Sequence, residues 1–497
     1  MTLSVNVNGA VVRPRIAANR RWLIVAILLA TAFCVQYSLI LNSDLGWLLT
    51  ACEKILAGRK YGVDLFESNP PLSLFLYLPA VVLGRMLGVA PEIVVDALVL
   101  IEIAAALCLV DRGAAEVGAS EEERDLSVWA LAFLLAILAG KAFGQREHIA
   151  VIALTPFVAM TAFRWRGLRP GSSAIAAGLG GGLAMCVKPY FALVIGAPML
   201  ANALRSRSVK PLLVPEAVVA AVVVLVYAAT VLWGFPAYVF DYVPMLDVAY
   251  LPVRKGLGEL AIVPTVVLAA SLVLMRLVAE LESARWTRAI PWLAAAVGGG
   301  ATYFVQGKGW TYTALALITF AMAAPLMQFR LTTMRAAPAI ATSAVLGMIG
   351  FYLLSEPASF PVLTRHVEAL VEQPRLLAIT DDIGIGHPLV RQVHGTWVGD
   401  ACAELLSGGA IWLERTSRPS PAEQAKLDKI VEFERRLLLG DLIEGRPDVV
   451  LADSLLFSQS KFDWLAWAEE DPAIRAELAH YRLADEVGRV RILVRQP

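Results

Sequence analysis

The sequence predicts a polytopic α-helical membrane protein of about 11 transmembrane helices, followed by a C-terminal soluble α/β domain. Three observations lead there. Hydrophobic residues make up 58% of the 497 residues and mean hydropathy is +0.64, more apolar surface than a water-soluble chain of this size carries. Charged residues balance to zero net charge, yet they are about twice as frequent after Glu356 as before it, which divides the chain into a membrane domain, 1–355, and a water-exposed domain, 356–497. Short arginine-rich segments punctuate the apolar runs, as in connections retained on the cytoplasmic side.

Arg13, Arg15, Arg20 and Arg21 precede an apolar run of about 20 residues, long enough to span, and no small-residue cleavage site follows before Asp44. The run is therefore read as an anchor. Further spans are expected at 149–163, 172–187, 190–204, 212–234, 259–278, 290–305, 311–327 and 336–354, after a first at 22–41. Several are short and glycine-rich, which implies close helix packing or broken helices. The basic segments 13–21, 164–169, 205–210, 276–288 and 330–335 are assigned to the cytoplasm. Three apolar segments, 72–88, 93–110 and 126–143, lie between Asp44 and Gln145. If both of those points are outside, one segment does not cross. The choice is 72–88, which follows Pro70-Pro71 and contains Pro79. The N-terminus is then inside and the C-terminus outside.

In the C-terminal domain, 375–380, 410–415, 447–453 and 489–495 read as strands, and 421–445 reads as one or two helices of 3.6 period. Cys34, Cys52, Cys108, Cys186 and Cys402 are scattered, with no metal-type spacing. His387 and His394 are seven apart, near Asp381 and Asp382, so no helical metal pair is implied.

Four clusters carry candidate chemistry. Residues 42–72 hold Asp44 at the end of the first span. An amphipathic stretch, Tyr61, Asp64, Glu67, Asn69 and Pro70-Pro71 follow. A connection that merely joined two helices would need none of these. Asp44 suits a general base, or an N-terminal cap for the helix beginning at Leu45. Gly144-Gln145-Arg146-Glu147-His148 sets charges at a membrane boundary, where Arg146 and His148 can hold a phosphate, or Arg146 and Glu147 can pair. Lys188-Pro189-Tyr190 interrupts an apolar stretch, so the lysine either snorkels or lines a cavity. Gln306-Gly307-Lys308-Gly309-Trp310-Thr311-Tyr312 exposes backbone amides around a lysine, beside aromatics suited to the interface. The aromatic segment 234–260 is read as a long outward loop.

The first cluster resembles the first extracytoplasmic loop of the GT-C superfamily of membrane glycosyltransferases, of the glycosyltransferase family 39 and aminoarabinose-transferase type. Its elements are Asp44, the Leu56-Ala57-Gly58 turn, Tyr61, Asp64, Glu67 and Pro70-Pro71. The Gln306 turn is similar to a Gln-x-Lys-Gly-x-x-Tyr-His turn of lipid-linked sugar transferases, with Thr313 in place of the histidine. The resemblance implies an inverting glycosyltransferase, hexosyl or pentosyl. It would move a sugar from a polyprenyl-phosphate carrier to a cell-envelope glycan or lipid on the outer face of the inner membrane, with the C-terminal domain in the periplasm. Asp44 and Glu147 are then catalytic. Asp64, Glu67, Asn69, Arg146, His148, Lys188, Tyr190, Gln306, Lys308, Trp310 and Tyr312 bind substrate. Leu45 follows Asp44 where an Asp-Glu pair would hold metal, so a divalent metal is not indicated and no cofactor is assigned. Membrane lipids are expected partners and nucleic acid is not. A flippase of lipid-linked sugars would use the same cationic cavity, and an O-antigen-type ligase or polymerase would take a diphosphate carrier. No relation between halves of the chain, common in transporters, is visible.

The arginine pattern makes a topology prediction. Single cysteines placed within 380–490 are expected to react with a membrane-impermeant thiol reagent in intact cells. Labelling that appears only after permeabilisation would refute an exported C-terminal domain.

Overall fold

The computed structural model describes residues 9–279, 286–330, 335–354 and 360–496, with side chains from Asn19 onward. The Arg13 and Arg15 side chains, parts of the basic segments 276–288 and 330–335, and the boundary expected at 355–356 lie outside the described residues. The chain forms two compact units. The first comprises 1–39, 93–227 and 255–356, and the second 40–92, 228–254 and 357–497. A single cut after 355 therefore does not describe the second unit, which also takes in the first loop and the aromatic segment.

Six helices among the described residues are long and apolar enough to cross a membrane: Asn19–Ser38, Pro91–Glu116, Arg146–Trp165, Pro215–Gly234, Leu257–Ala279 and Ala336–Leu354. Ser173–Val187, Ala192–Ser206 and Leu315–Leu326 are shorter. The segment 72–88 is divided into Leu72–Phe75 and Leu78–Leu87. A ten-residue helix rises only about 15 Å, half the hydrocarbon thickness of a bilayer. The span expected at 126–143 begins earlier, as Glu121–Ala136. Ser120 caps it by accepting from the Glu123 amide, and Glu121, Glu122 and Glu123 fill its first turn, where carboxylates suit the helix dipole.

In the first unit the glycines of the short helices bring backbones into contact. A methyl group at Gly298, in the helix Trp286–Gln306, would lie 2.2 Å from the Leu193 carbonyl oxygen. One at Gly299 would lie 2.5 Å from the Leu317 amide nitrogen. Ala192–Ser206 and Leu315–Leu326 thus both pack on the same turn of Trp286–Gln306, as small residues allow between membrane helices. Arginine chemistry secures another part of this unit. Arg21, assigned from sequence to an aqueous boundary, is fully buried. Its guanidinium donates to Asp111 (2.7 Å), Asp125 (2.6 Å) and Glu121 (2.5 Å). The first helix is thereby tied to Pro91–Glu116 and Glu121–Ala136.

The second unit carries a five-stranded sheet built from β1 (Arg375–Ile379), β2 (Thr396–Trp397), β3 (Val449–Asp453), β6 (Tyr481–Val487) and β7 (Val490–Arg495). A separate ribbon pairs β4 (Leu455–Leu456) with β5 (Ser460–Lys461). The main sheet runs β2-β1-β3-β7-β6. β1 is parallel to β2 and β3, and β7 is antiparallel to β3 and β6. Three of the four expected strands are present. The fourth, 410–415, lies inside the helix Leu405–Ser417, whose buried Leu406, Ala410 and Ile411 follow helical spacing. A short apolar run does not distinguish the two states. Gly409 permits a close contact, since a methyl there would meet the Ala249 carbonyl oxygen at 2.0 Å. Residues 421–445 form one helix, started by a reciprocal capping box between Ser420 and Glu423. The segment expected as a loop at 234–260 is largely wound, with π-helical turns at Tyr238–Tyr242 and Leu246–Tyr250. Its Tyr238 and Tyr242 are buried.

The backbone contacts at Gly298 lead to a paired test. Gly298→Ala overpacks a site closed by main chain, with an expected loss of roughly 1–3 kcal/mol. Gly196→Ala fills open space on the neighbouring helix and is expected to be neutral or to stabilise by up to about 1 kcal/mol. Thermal unfolding of the purified protein in detergent separates them. Equal shifts would mean that the close approach does not limit this packing.

Candidate functional site

The first unit gathers most of the predicted cationic residues. Helix Arg146–Trp165 starts after Gln145, whose extended backbone serves as the N-cap without a capping side-chain bond. Helix Ser173–Val187 stops because Lys188 is extended and Pro189 has no amide hydrogen to continue the ladder. The chain then makes one 3₁₀ turn, Pro189–Phe191, before the next helix. These two interruptions bring Glu147 and Lys188 together. Their buried side chains form an ion pair between Lys188 Nζ and Glu147 Oε1. The same ammonium lies 5.8 Å from the Tyr190 ring centroid, on its face. Arg146, also buried, and Glu147 both act electrostatically on the Tyr190 hydroxyl. Thr302 donates to the Tyr190 carbonyl (3.2 Å), which attaches helix Trp286–Gln306 to the cluster one turn before Gln306.

Beyond Gln306 the chain turns through Gly307 and Gly309, at φ of 67° and 70°, where a residue without Cβ is needed. Trp310 and Tyr312 stack, with centroids 5.6 Å apart. Sequence reasoning missed two members of this region. The Lys255 amide donates to the Gly307 carbonyl (2.9 Å), and the Lys255 side chain lies so near Gly309 that a methyl there would meet its Cδ at 2.6 Å. The signal available was the basic pair Arg254-Lys255 before a glycine at the start of a span. The second is Gln145. It is buried, and both of its amide atoms lack a hydrogen-bond partner among the described residues. A buried, unpaired amide beside Arg146 and Glu147 is costly unless a ligand or water completes it.

Two expectations for this cluster are corrected. His148 does not present a donor. Its Nδ1 accepts from the Gly144 amide (3.1 Å) and its Nε2 donates to the Leu135 carbonyl (2.7 Å), so both nitrogens hold backbone. Glu147 and Lys188 do not act as separate groups, because each neutralises the other.

In the second unit, helix Ser43–Leu56 is capped by Asn42, whose side chain accepts from the Asp44 amide (2.9 Å). Asp44 is therefore not the cap, and its carboxylate sits in the first turn. Glu67, expected to bind substrate, is buried and organises the loop instead. Its Oε2 accepts from Trp47 Nε1 (2.7 Å), and its Oε1 accepts from the Asn69 amide (3.1 Å) and from Asn69 Nδ2 (2.6 Å). Tyr61 donates to the Asn69 carbonyl, and Asp64 accepts from the Lys60 amide. The acids and histidines of the C-terminal segment do not converge. Asp382 pairs with Arg489. Asp381 accepts from the Phe457 amide (2.7 Å), and burial raises its carboxyl to about 7. His387 lies between Trp397 and Trp47, at 4.5 and 5.4 Å between centroids, where burial lowers its imidazole to about 3. His394 is exposed.

No protein-family model matches the chain, and no curated protein matches it. Among solved structures, ArnT from Cupriavidus metallidurans bound to undecaprenyl phosphate is similar over 95% of this chain and 97% of its own, with a TM-score of 0.51 at 13% identity. The chain has the GT-C fold. A likeness of lower TM-score, 0.43 at 12% identity, links 93% of this chain to 72% of the Archaeoglobus fulgidus oligosaccharyltransferase tethered with an acceptor peptide. Within the GT-C fold this chain is a multi-pass membrane protein, and its buried Glu147–Lys188 pair connects two helix boundaries.

Removing one partner strands the other charge. Glu147→Leu or Lys188→Met alone is expected to destabilise the protein by roughly 3–5 kcal/mol, whereas the double variant recovers most of that loss. Thermal unfolding measures both. A double variant that loses the sum of the single effects would show that the two groups do not act as a pair.

Proposed function

We propose that this protein is an inverting glycosyltransferase that moves a sugar from a polyprenyl-phosphate carrier to a cell-envelope glycan or lipid. The reaction takes place at the outer face of the cytoplasmic membrane, with the C-terminal domain in the periplasm. The observation that carries the reading is the fold shared with a protein crystallised with undecaprenyl phosphate, in a chain that buries Arg146 and the Glu147–Lys188 pair around Tyr190. Soluble-enzyme chemistry has little use for such groups at the ends of membrane helices, where each one costs free energy unless paired or used.

In the proposed reaction an acceptor hydroxyl attacks the anomeric carbon. Asp44 takes the hydroxyl proton, the glycosidic carbon–oxygen bond breaks, and polyprenyl phosphate leaves with the bonding electrons. Attack opposite the leaving group inverts the anomeric centre. Arg146 and Lys308 stabilise charge growing on the phosphate, each through a charge-assisted hydrogen bond worth roughly 1.5–3 kcal/mol. Glu147 positions Lys188 and sets the field at Tyr190. Gln145, Gln306, Trp310 and Tyr312 contact the sugar or the carrier. Asp64 and Asn69 shape the first loop on the acceptor side, with Glu67 holding that loop in place.

The test uses full-length protein in nanodiscs and a panel of radiolabelled polyprenyl-phosphate sugars. Wild type is expected to transfer from at least one donor. Asp44→Asn, with unchanged melting, is expected to be slower by at least about a hundredfold, as for loss of a general base. Near-normal turnover of Asp44→Asn would remove this carboxylate from the chemistry. Movement of intact lipid-linked sugar across vesicle membranes, without transfer, would replace the enzyme by a flippase.

A further inference from the structure

Helix Pro91–Glu116 carries a carboxylic acid near the centre of its span. Glu102 is equally far along the helix from Ile93 and Asp111. Helical rise puts it about 14 Å from either, close to the middle of a hydrocarbon layer about 30 Å thick. Among the described residues no hydrogen bond or ion pair reaches its carboxyl group, and the residue is partly exposed. One side of the helix buries Val95, Val99, Ile103, Ala106 and Val110 within the protein. The flank beside it leaves Ala105 exposed and Leu98, Glu102 and Leu109 partly exposed. Those four residues follow one another at intervals of four, three and four. That is the repeat of a seam that packs on a second helix, and within the protein the seam is not covered.

We propose that this seam joins two copies of the chain within the membrane, with Glu102 hydrogen-bonded to Glu102 of the partner subunit. Depth and chemistry select that partner. In hydrocarbon a carboxyl group without a cation keeps its proton. The neutral acid donates through its hydroxyl and accepts through its carbonyl, so it is complementary to itself. The lysines and arginines of the other long apolar helices stand only in their first or last turns. A second copy therefore offers no cation at this depth, but it does offer the same acid. Two copies inserted in one orientation pair about a twofold axis along the membrane normal, which sets each residue of the seam opposite its equivalent at equal depth. A single polar residue in an otherwise apolar seam then fixes the register, and the small Ala105 allows the backbones to approach. Lipid headgroups stay at the interface, about half the hydrocarbon thickness away, and do not reach this carboxyl group. The contact is separate from the proposed transfer chemistry and does not depend on it.

Fluorophore-labelled full-length protein, reconstituted in phosphatidylcholine vesicles over a range of protein-to-lipid ratios, gives the dimer fraction by stepwise photobleaching. Wild type is expected to pass from monomer to dimer as the ratio rises. Glu102→Leu removes the hydrogen bond and is expected to raise the dissociation constant at least about tenfold. Glu102→Gln keeps a donor and an acceptor and is expected to stay within about threefold of wild type. The monomer loses no bond in Glu102→Leu, so this variant is expected to melt no lower than wild type. Oxidative crosslinking locates the seam. With the exposed Cys34 and Cys108 replaced by serine, Ala105→Cys is expected to form a disulfide between copies. Val222→Cys, at an exposed position of helix Pro215–Gly234, is not. Wild type that stays monomeric at every ratio overturns the proposal. So does unchanged dimerisation of Glu102→Leu, lowered melting of that variant, which would reveal a partner within the chain, or equal crosslinking at the two positions.

Discussion

A charge placed inside a membrane protein must find an opposite charge, and the Glu147–Lys188 pair shows how far that requirement organises the first unit. Glu147 stands in the first turn of a buried helix, and Lys188 stands where a neighbouring helix has just been stopped by Pro189. Neither position is stable alone. Together they fix the relative height of two helices and hold Tyr190 against the ammonium. Thr302 then carries the constraint into a third helix through the Tyr190 carbonyl. The glycine turn at 307–309 follows that helix directly, so its placement also depends on this junction.

The same rule governs the arginine-rich end of the unit. Arg21 is buried among three carboxylates and Arg164 is bidentate to the buried Glu216. Arginine suits both tasks because its planar fork satisfies several acceptors at once. Between these polar clamps the helices need no directional interaction. They gain packing energy where glycine removes the side chain, as at Gly178, whose added methyl would meet the Glu216 carbonyl oxygen at 2.5 Å. Polar pairing at the ends and backbone contact in the middle together fix how these helices pack.

The second unit uses a different device. Its first-loop segment is held by hydrogen bonds that one carboxylate, Glu67, accepts from Trp47 and Asn69. An aromatic series then joins the segments of this unit. Tyr61 packs on Phe235 and Tyr238, while Phe66 packs on Tyr242 and Phe433. Acidic residues that sequence reading reserved for ligands are used here as structural fasteners. The same fastened loop leads into the helix whose first turn carries Asp44.

Much of this protein follows from local pattern. Long apolar runs dictate membrane helices because the bilayer leaves the backbone no other partner. Pro70-Pro71 precedes 72–88 and Pro79 starts the second of its two short helices, and the short apolar runs within 447–453 and 489–495 give strands. Asp44, Arg146, Lys188 and Lys308 could be singled out because charge beside apolar sequence is costly wherever it occurs. What the sequence could not supply was partnership. Whether His148 faced a ligand or two backbone groups, whether Glu67 bound substrate or Trp47, and whether 410–415 was strand or helix all depended on atoms far away in the chain. Those choices belong to tertiary structure, since a hydrogen bond or a close backbone approach is satisfied by position in space and leaves no periodic trace in sequence.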